Sequence, residues 1–452
     1  MRIKLDIPIF TKSLPAMLEV SSFQSRGNYK IEYVCTDSRE LQGGELFFAL
    51  QGDRFNAEDY LADAKNKGAY TVSSKQENTD FTVADTLTSL SHLANAYKKL
   101  LSVRSTVAIT GSVGKTTTKN LTLQLLSTKF ITHGTYKNLN NEIGVPMTVL
   151  SANKNTEILV IEAGMNHIGE LSRISKCIEP DISVITNVGT AHIGNLGSIK
   201  KIAEAKEEIL RGMRKPYLLA PYGDTHITRY PFMKTVSTTD SNADFYLFAS
   251  NTENKNLYSF RSKYNYVDNF EINCIMPHIP ICLSFALSVC SVLNMSDKEI
   301  LNAVNSLDFQ DKERIHEIGT LTIIDDSYNC SIESARSALD MLSKTSAKEK
   351  SAVFGDMLEL GEFSDELHYE LGYAIAESKL SHLYLFGKNA KTVKKGAMNR
   401  GMNGDVIFIN ENVDAPEITA KQIRENSDNE IILLKGSRMM RLERILEILE
   451  RG

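Results

Sequence analysis

The stretch V-A-I-T-G-S-V-G-K-T-T-T-K-N, from Val107 to Asn120, constrains this chain more than any other. Val107–Thr110 is an apolar run of strand length, and Thr117–Ser127 reads as a helix, so Gly111–Thr116 is the turn between them. A strand, a small-residue turn and a helix start in that order aim backbone N–H groups and the positive helix end at an anion. Gly111, Ser112, Val113 and Gly114 would form the cradle, and Thr117 would open the helix. Lys115 would neutralise phosphate oxygens, and the Thr116 hydroxyl would ligate Mg²⁺. Only two residues separate the glycines, where the usual phosphate-loop pattern has four, so a chance strand–turn–helix is the alternative. The strand before the turn and the threonines after it favour a nucleoside triphosphate.

A chain of 452 residues is too long for one core and fits about three domains. With 42% hydrophobic and 24% charged residues it has an ordinary soluble composition, and a formal charge of −5 argues against nucleic acid held by bulk electrostatics. The longest apolar stretch, Ile279–Leu293, is interrupted by Pro280 and by Ser and Cys residues, so no membrane span is expected. The first residues lack the apolar core of a signal peptide. Six cysteines without C-x-x-C spacing read as reduced core residues of a cytoplasmic protein.

The pattern divides the chain into an α/β protein of three domains. Residues 1–103 mix short strands and turns with a helix at Asn56–Lys67, as a small mixed α/β domain. Residues 104–312 open with the phosphate loop and alternate strands (Ile158–Glu162, Ile182–Asn187, Tyr217–Ala220) with helices, as a doubly wound parallel sheet. Residues 313–452 alternate again, with strands Leu321–Asp325, Ser351–Phe354, His382–Phe386, Val406–Ile409 and Glu430–Leu434. This last domain is Rossmann-like but lacks G-x-G-x-x-G, so NAD is not implied. The segment D-F-Q-D-K-E-R-I-H-E-I joining the two α/β domains reads as a hinge.

Ligands of open α/β sheets bind at the carboxyl ends of the strands, which ranks the remaining candidates. Glu162 ends a strand beside the phosphate loop and is placed to hold Mg²⁺, or merely to cap the next helix. His192 follows Asn187 at the same edge and is either structural or a metal or phosphate contact. Lys206 falls inside the apolar stripe Ile202, Ala205, Ile209, Leu210, Met213. There it is either a desolvated, nucleophilic amine or a lysine that snorkels to water. Asn138, Asn140 and Asn141 form a turn or read a polar substrate with their amides. Asp325 and Asp326 end another strand, followed by Tyr328 and Asn329, and Lys435, Ser437 and Arg438 end the last one. That cationic edge suits an anionic ligand, with an exposed solvated turn as the alternative, and Arg314 would reach phosphates on domain closure.

Taken together, T-G-S-V-G-K-T-T-T, N-L-N-N-E-I-G-V-P, E-A-G-M-N-H-I-G-E-L, N-V-G-T-A-H-I-G-N-L-G-S, A-K-E-E-I-L, D-D-S-Y-N and K-G-S-R resemble the Mur ligases, in matching order from about residue 35 to 440. The N-N-E-I-G-V-P and D-D-S-Y-N stretches resemble those of the dipeptide-adding member, and the D-N-P-R of the diaminopimelate-adding one is absent. The resemblance implies an ATP- and Mg²⁺-dependent peptide ligase, expected as a monomer, whose partners are UDP-N-acetylmuramoyl-tripeptide and D-alanyl-D-alanine. It implies that the first domain takes the uridine end through Ser38 and Arg39, that the second binds ATP and that the third brings the dipeptide. By the same analogy Thr116 and Glu162 hold Mg²⁺, His192 holds a second, and Lys206 is carbamylated by CO₂ into a further anionic ligand. Arg314 and Asp326 join the ATP site, while Tyr328, Asn329, Lys435 and Ser437 join the substrate site.

The chain departs from the family pattern in three places. Asn329-Cys330-Ser331-Ile332 stands where Asn-Ala-Asn-Pro is expected, and Asn56-Ala57-Glu58 replaces an Asp-Gly-His. Met276 to Cys282 replaces the stretch whose later Asn meets adenine, so the expected adenine amide falls at Cys282. Two rival readings are a folylpolyglutamate synthetase-like ligase, which would begin almost at the ATP domain, and a catalytically silent paralogue that binds nucleotide or cell-wall precursor.

Overall fold

The computed structural model describes residues 1–24, 26–52, 55–250, 256–274, 276–309 and 314–451. Three sheets organise it. The first, of six strands, runs in the order Arg2–Phe10, Lys30–Cys35, Leu46–Phe48, Tyr70–Ser73, Phe81–Thr82, Ser22–Phe23. Helix Thr86–Lys98 then leads towards the second sheet, its Asp85 side chain accepting from Thr88 N as an N-cap. Tyr97 of this helix is fully buried and accepts a hydrogen bond from Ile7 N, which ties the first sheet to the helix.

The second sheet has nine strands in the order Thr132–Gly134, Ile158–Glu162, Ser105–Thr110, Ile182–Ile185, Leu218–Pro221, Met233–Ser237, Phe245–Ala249, Leu257–Ser262, Tyr266–Glu271. The first seven are parallel. Their central members are buried along their whole length, as strands covered by helices on both faces must be. The chain leaves the central strand Ser105–Thr110 to one side and returns on the other, which makes this strand the switch point where α/β sheets bind ligands. The last two strands extend the sheet antiparallel, an extension that the alternation of strands and helices did not foretell.

The third sheet orders its strands Ile315–Ile318, Leu321–Asp325, Glu430–Lys435, Glu349–Gly355, His382–Phe386, Ile407–Asn410, parallel except for the first pair. The segment read as a hinge is therefore corrected at its end: Ile315–Ile318 is an edge strand that exchanges ladder bonds with Leu321–Asp325. Gln310 to Glu313, and with them the expected boundary at residues 312 and 313, lie outside the described residues. One apolar cluster runs from Leu5 through the second sheet to Leu433, and a second fills the other face of the third sheet around Ile323, Tyr384, Ile432 and Ile445. The Asn56–Lys67 helix is a 3₁₀ turn, Ala57–Tyr60, followed by Leu61–Asn66. Among the described residues no helix is long and apolar enough to cross a membrane.

Candidate active site

The phosphate loop is built as its residues demand. Gly114 is the N-cap of helix Lys115–Ser127 at φ +81°, a left-handed conformation that favours glycine. The helix begins at Lys115 and not at Thr117, so Lys115 and Thr116 occupy its first turn, where unpaired N–H groups and the dipole are strongest. At Gly111 a Cβ would stand 1.8 Å from Thr186 Oγ1, so only glycine lets the loop lie against the neighbouring strand. Asn187 completes the turn: its Oδ1 accepts from Ser112 N and Val113 N, each at 3.0 Å. The Ser112 hydroxyl in turn accepts from Gly189 N at 2.8 Å.

Lys115 Nζ folds back onto the loop and donates to Gly111 O at 2.7 Å and Ser112 O at 3.2 Å. Burial lowers its pKa, and the nearby Glu162 charge opposes that. Glu162 is 2% exposed. Its Oε2 accepts from Thr116 Oγ1 at 2.9 Å and its Oε1 from Asn140 Nδ2 at 2.8 Å. Both donors are neutral, and no ion pair to Glu162 forms among the described residues. The Lys115 and Lys119 ammonium groups lie near enough to feel this charge but do not pair with it, and the oxygen donors of Thr116 and Glu162 at the cavity fit Mg²⁺. Among the described residues no group of three or more His, Cys, Asp and Glu side chains gathers as a ready metal site.

Lys206 lies near the end of helix Ile199–Glu207, on the face that buries Ile202, Ala203 and Ala205. It is 2% exposed, so it does not snorkel to water. Burial, reinforced by the charge of Lys115, pushes its pKa well below that of an ordinary lysine. It lines a cavity of about 850 Å³ that also takes in the whole phosphate loop, Glu162, Asn187, His192, His278, Cys282, Arg314, Asp326, Tyr328, Asn329, Lys435 and Arg438.

The third domain closes this cavity. Lys435, 1% exposed, donates from Nζ to Asp326 Oδ2 at 2.7 Å and to Asn329 O at 3.0 Å, while Arg314 reaches Asp326 Oδ1 at 3.2 Å. Of the expected cationic edge Lys435 is thus buried and paired, while Arg438 is exposed and pairs with Glu443 at 3.1 Å. Burial pushes the His278 imidazole near Asp326 below its usual pKa. Ser331, where the family pattern has Asn, caps helix Ile332–Lys344 in a capping box. Two carboxylates of the third domain grip the loop after strand Ile182–Ile185. Glu333 accepts from Thr190 N at 2.7 Å and Thr190 Oγ1 at 3.1 Å, and Glu359 Oε2 lies 2.5 Å from His192 Nδ1.

Several expected residues stand elsewhere. Asn141 lines the cavity and also serves the turn: its Oδ1 accepts from Ile143 N and Gly144 N and starts helix Gly144–Leu150. Asn138 is exposed and does not line the cavity. Ser437 is buried and holds the loop of Glu359, its hydroxyl accepting from Leu358 N. Ser38 and Arg39 lie in the first domain, away from this cavity, with Arg39 paired to Asp37 at 2.6 Å. Cys282 Sγ packs against Gly114 and lies 3.7 Å from its carbonyl oxygen. Asn187, Glu333 and Glu359 were missed by sequence reasoning. Asn187 and Glu359 lie just past the carboxyl ends of parallel strands, so the rule that marks Glu162 reaches them too.

A phosphate loop at the switch point of a parallel sheet, roofed by a second α/β domain, defines an ATP-dependent ligase architecture. The chain belongs to the Mur ligase family: residues 109–285 match the Mur ligase middle domain and residues 312–438 the Mur ligase glutamate ligase domain. It is 32% identical over 431 residues to the UDP-N-acetylmuramoyl-tripeptide--D-alanyl-D-alanine ligase of Bacillus subtilis, covering 92% of this chain and 93% of that one. It is also similar to the crystal structure of MurF from Acinetobacter baumannii, at a TM-score of 0.86 and 26% identity with full coverage of both chains. MurF ligase from Thermotoga maritima in complex with ADP matches at a TM-score of 0.78 and 26% identity, covering 92% of this chain and 97% of that one.

Proposed function

We propose that this chain joins D-alanyl-D-alanine to UDP-N-acetylmuramoyl-tripeptide at the expense of ATP, in cell-wall precursor synthesis. The observation that carries the reading is that one cavity brings together the phosphate loop, the buried carboxylate Glu162, the buried Lys206 and the Asp326–Lys435 pair of the third domain. The first-domain sheet at residues 2–82 is the part a folylpolyglutamate synthetase-like ligase would lack. The intact phosphate-loop and carboxylate geometry argues against a silent paralogue. In this reading residues 1–103 take the uridine end, 104–312 bind ATP and 313–452 bring the dipeptide. The free cysteines, five of them buried, are in keeping with a cytoplasmic site of action.

In the proposed reaction the terminal carboxylate of the tripeptide attacks the γ-phosphorus of ATP and forms an acyl phosphate and ADP. The amine of D-alanyl-D-alanine then attacks the acyl carbon, phosphate leaves and the amine proton is lost. The N–H groups of residues 111–116 cradle the phosphates, and Lys115 swings from its loop carbonyls to the transferred group as charge develops there. Thr116 and Glu162 would hold one Mg²⁺, and His192 with carbamylated Lys206 a second; bound metal would neutralise charge on the phosphates. Asp326 fixes Arg314 and Lys435 towards the cavity, where they meet anionic groups. The third domain shields the acyl phosphate from water. Tyr328 and Asn329 lie at that roof and would meet the peptide.

Phosphate release measured with each substrate omitted in turn tests the reading. Release is expected only when ATP, UDP-tripeptide and D-alanyl-D-alanine are all present. Release supported by folate and glutamate, or by none of these acceptors, would overturn it.

A further inference from the structure

The loop that follows strand Ile182–Ile185 touches two things at once. At its start Asn187 and Gly189 hold the phosphate loop through Ser112 and Val113. Further on, Thr190 and His192 are bonded to Glu333 and Glu359 of the third domain. The second contact is built on both sides. His192 sits at φ +66° and Glu359 at φ +63°, left-handed conformations that a non-glycine residue holds only where its surroundings impose them.

The imposing contacts are visible. Gly194 N donates to Glu359 O at 3.0 Å, and a Cβ on Gly194 would stand 2.4 Å from Gly361 N, so the two backbones touch. Behind Glu359, Met357 N donates to His368 Nε2 at 3.0 Å and Leu358 N to Ser437 Oγ at 2.9 Å. His368 is itself fully buried, with Nδ1 at 2.7 Å from Ser364 O, which makes Nδ1 the donor and leaves Nε2 to accept. The Glu359 loop is therefore a braced platform of the third domain that presents a carboxylate to His192.

A histidine that donates one ring N–H to a carboxylate has its tautomer and ring plane fixed, and its other nitrogen is free to ligate with raised basicity. Here Nδ1 faces Glu359, so Nε2 is the nitrogen left for a ligand, and His192 lines the cavity. We propose that Glu359 is the positioning residue for His192, supplied across the domain interface, so that the second metal ligand is oriented only when the third domain is docked. The proposal rests on the assignment of His192 to a metal in the function proposed above. It makes docking of the third domain and assembly of the metal site one event.

The test is Mn²⁺ binding to the full chain with a non-hydrolysable ATP analogue, read by electron paramagnetic resonance. Outer carboxylates of this kind typically carry about 10–100-fold in metal affinity. Glu359→Ala is expected to weaken one Mn²⁺ by about 10-fold or more. Glu359→Gln, which keeps an acceptor for the Nδ1 proton, is expected to recover part of that loss, and circular dichroism checks that each variant folds. In a His192→Ala background Glu359→Ala should change nothing further. If His192→Ala weakens Mn²⁺ while Glu359→Ala does not, the positioning role is overturned alone. If His192→Ala leaves Mn²⁺ binding intact, the metal assignment beneath the proposal fails and the proposal with it.

Discussion

Lys206 has Lys115, a like charge, as its charged neighbour across the cavity, and forms no ion pair among the described residues. An ammonium held there would be both desolvated and repelled, so burial and the like charge both favour the neutral amine. That is the form CO₂ needs, and a carbamate would turn the repulsion into attraction to Lys115 and to Mg²⁺. Lys206→Ala is expected to fold and to lose about 100-fold or more in turnover, with partial rescue by small carboxylates. Lys206→Arg should not be rescued, because guanidinium keeps the wrong sign. Full activity of Lys206→Ala would leave Lys206 as packing only.

The same burial has a signature in stability. In CO₂-free buffer the unfolded chain binds a proton that the folded site lacks between the lowered pKa and the ordinary 10.5. Stability contributed by this position therefore rises with pH across that window and falls as pH drops through it. Lys206→Met should remove the slope and stabilise the chain near neutral pH by about 1–3 kcal/mol, measured by urea unfolding. A variant less stable than the parent in CO₂-free buffer would contradict this account.

Lys115 tests the loop itself. Its Nζ rests on two loop carbonyls and is free to move to a phosphate when one arrives. Lys115→Ala is expected to cost about 3 kcal/mol or more in transition-state stabilisation, seen as a fall in kcat. A variant retaining half its turnover would exclude this loop as the ATP site.

Much of this site was legible because strand-end position and residue chemistry are local. Glu162, Lys115 and Thr116 follow from an apolar run, a glycine turn and a carboxylate at a neighbouring strand end. The apolar stripe singled out Lys206 but left it open between a desolvated amine and a snorkelling lysine, which its burial decides. What could not be read was pairing between distant segments. Glu359 lies 167 residues from His192, and Lys435 lies 109 from Asp326, so no window of sequence joins them. The antiparallel strands Leu257–Ser262 and Tyr266–Glu271 were missed because they interrupt the alternation that defines the rest of the domain. Asn141 was ambiguous for a different reason, since an amide that caps a turn looks the same in sequence as one that reads a ligand.

Cys282 was expected where an adenine-reading amide should be, and its thiol instead packs on Gly114. Burial pushes that thiol up to about 11, so it is neither a thiolate nor a useful partner for a base edge. Cys282→Ala should leave the preference of ATP over GTP unchanged within about twofold. Gly114→Ala should raise KM for ATP, because its φ of +81° costs an alanine about 1–2 kcal/mol and its Cβ would meet Cys282 Sγ at 3.1 Å. The double variant should recover the contact but not the backbone strain. A collapse of ATP preference in Cys282→Ala would return this residue to the base pocket.

Glu58 offers a test in the first domain, away from the chemistry. Its carboxylate is buried and accepts from Ser73 Oγ at 2.7 Å, Ser74 Oγ at 2.6 Å, Ser74 N at 3.1 Å and Gln51 Nε2 at 2.9 Å. Burial pushes its pKa up, but the bonds from Ser74, Ser73 and Gln51 outweigh that and bring it down to about 2, from 4.5. Between those values the unfolded chain binds the proton and the folded one does not. The stabilisation is thus fully present above pH 4.5 and is lost as pH falls towards 2. A shift of this size corresponds to about 3 kcal/mol. Glu58→Gln, whose amide can accept at only one of the two oxygen positions, should lose about 2–3 kcal/mol at neutral pH. The gap between variant and parent should narrow steadily on acidification below pH 4.5, followed by urea unfolding with circular dichroism. A gap that stays constant with pH would mean that packing, and not the ionised carboxylate, makes Glu58 matter.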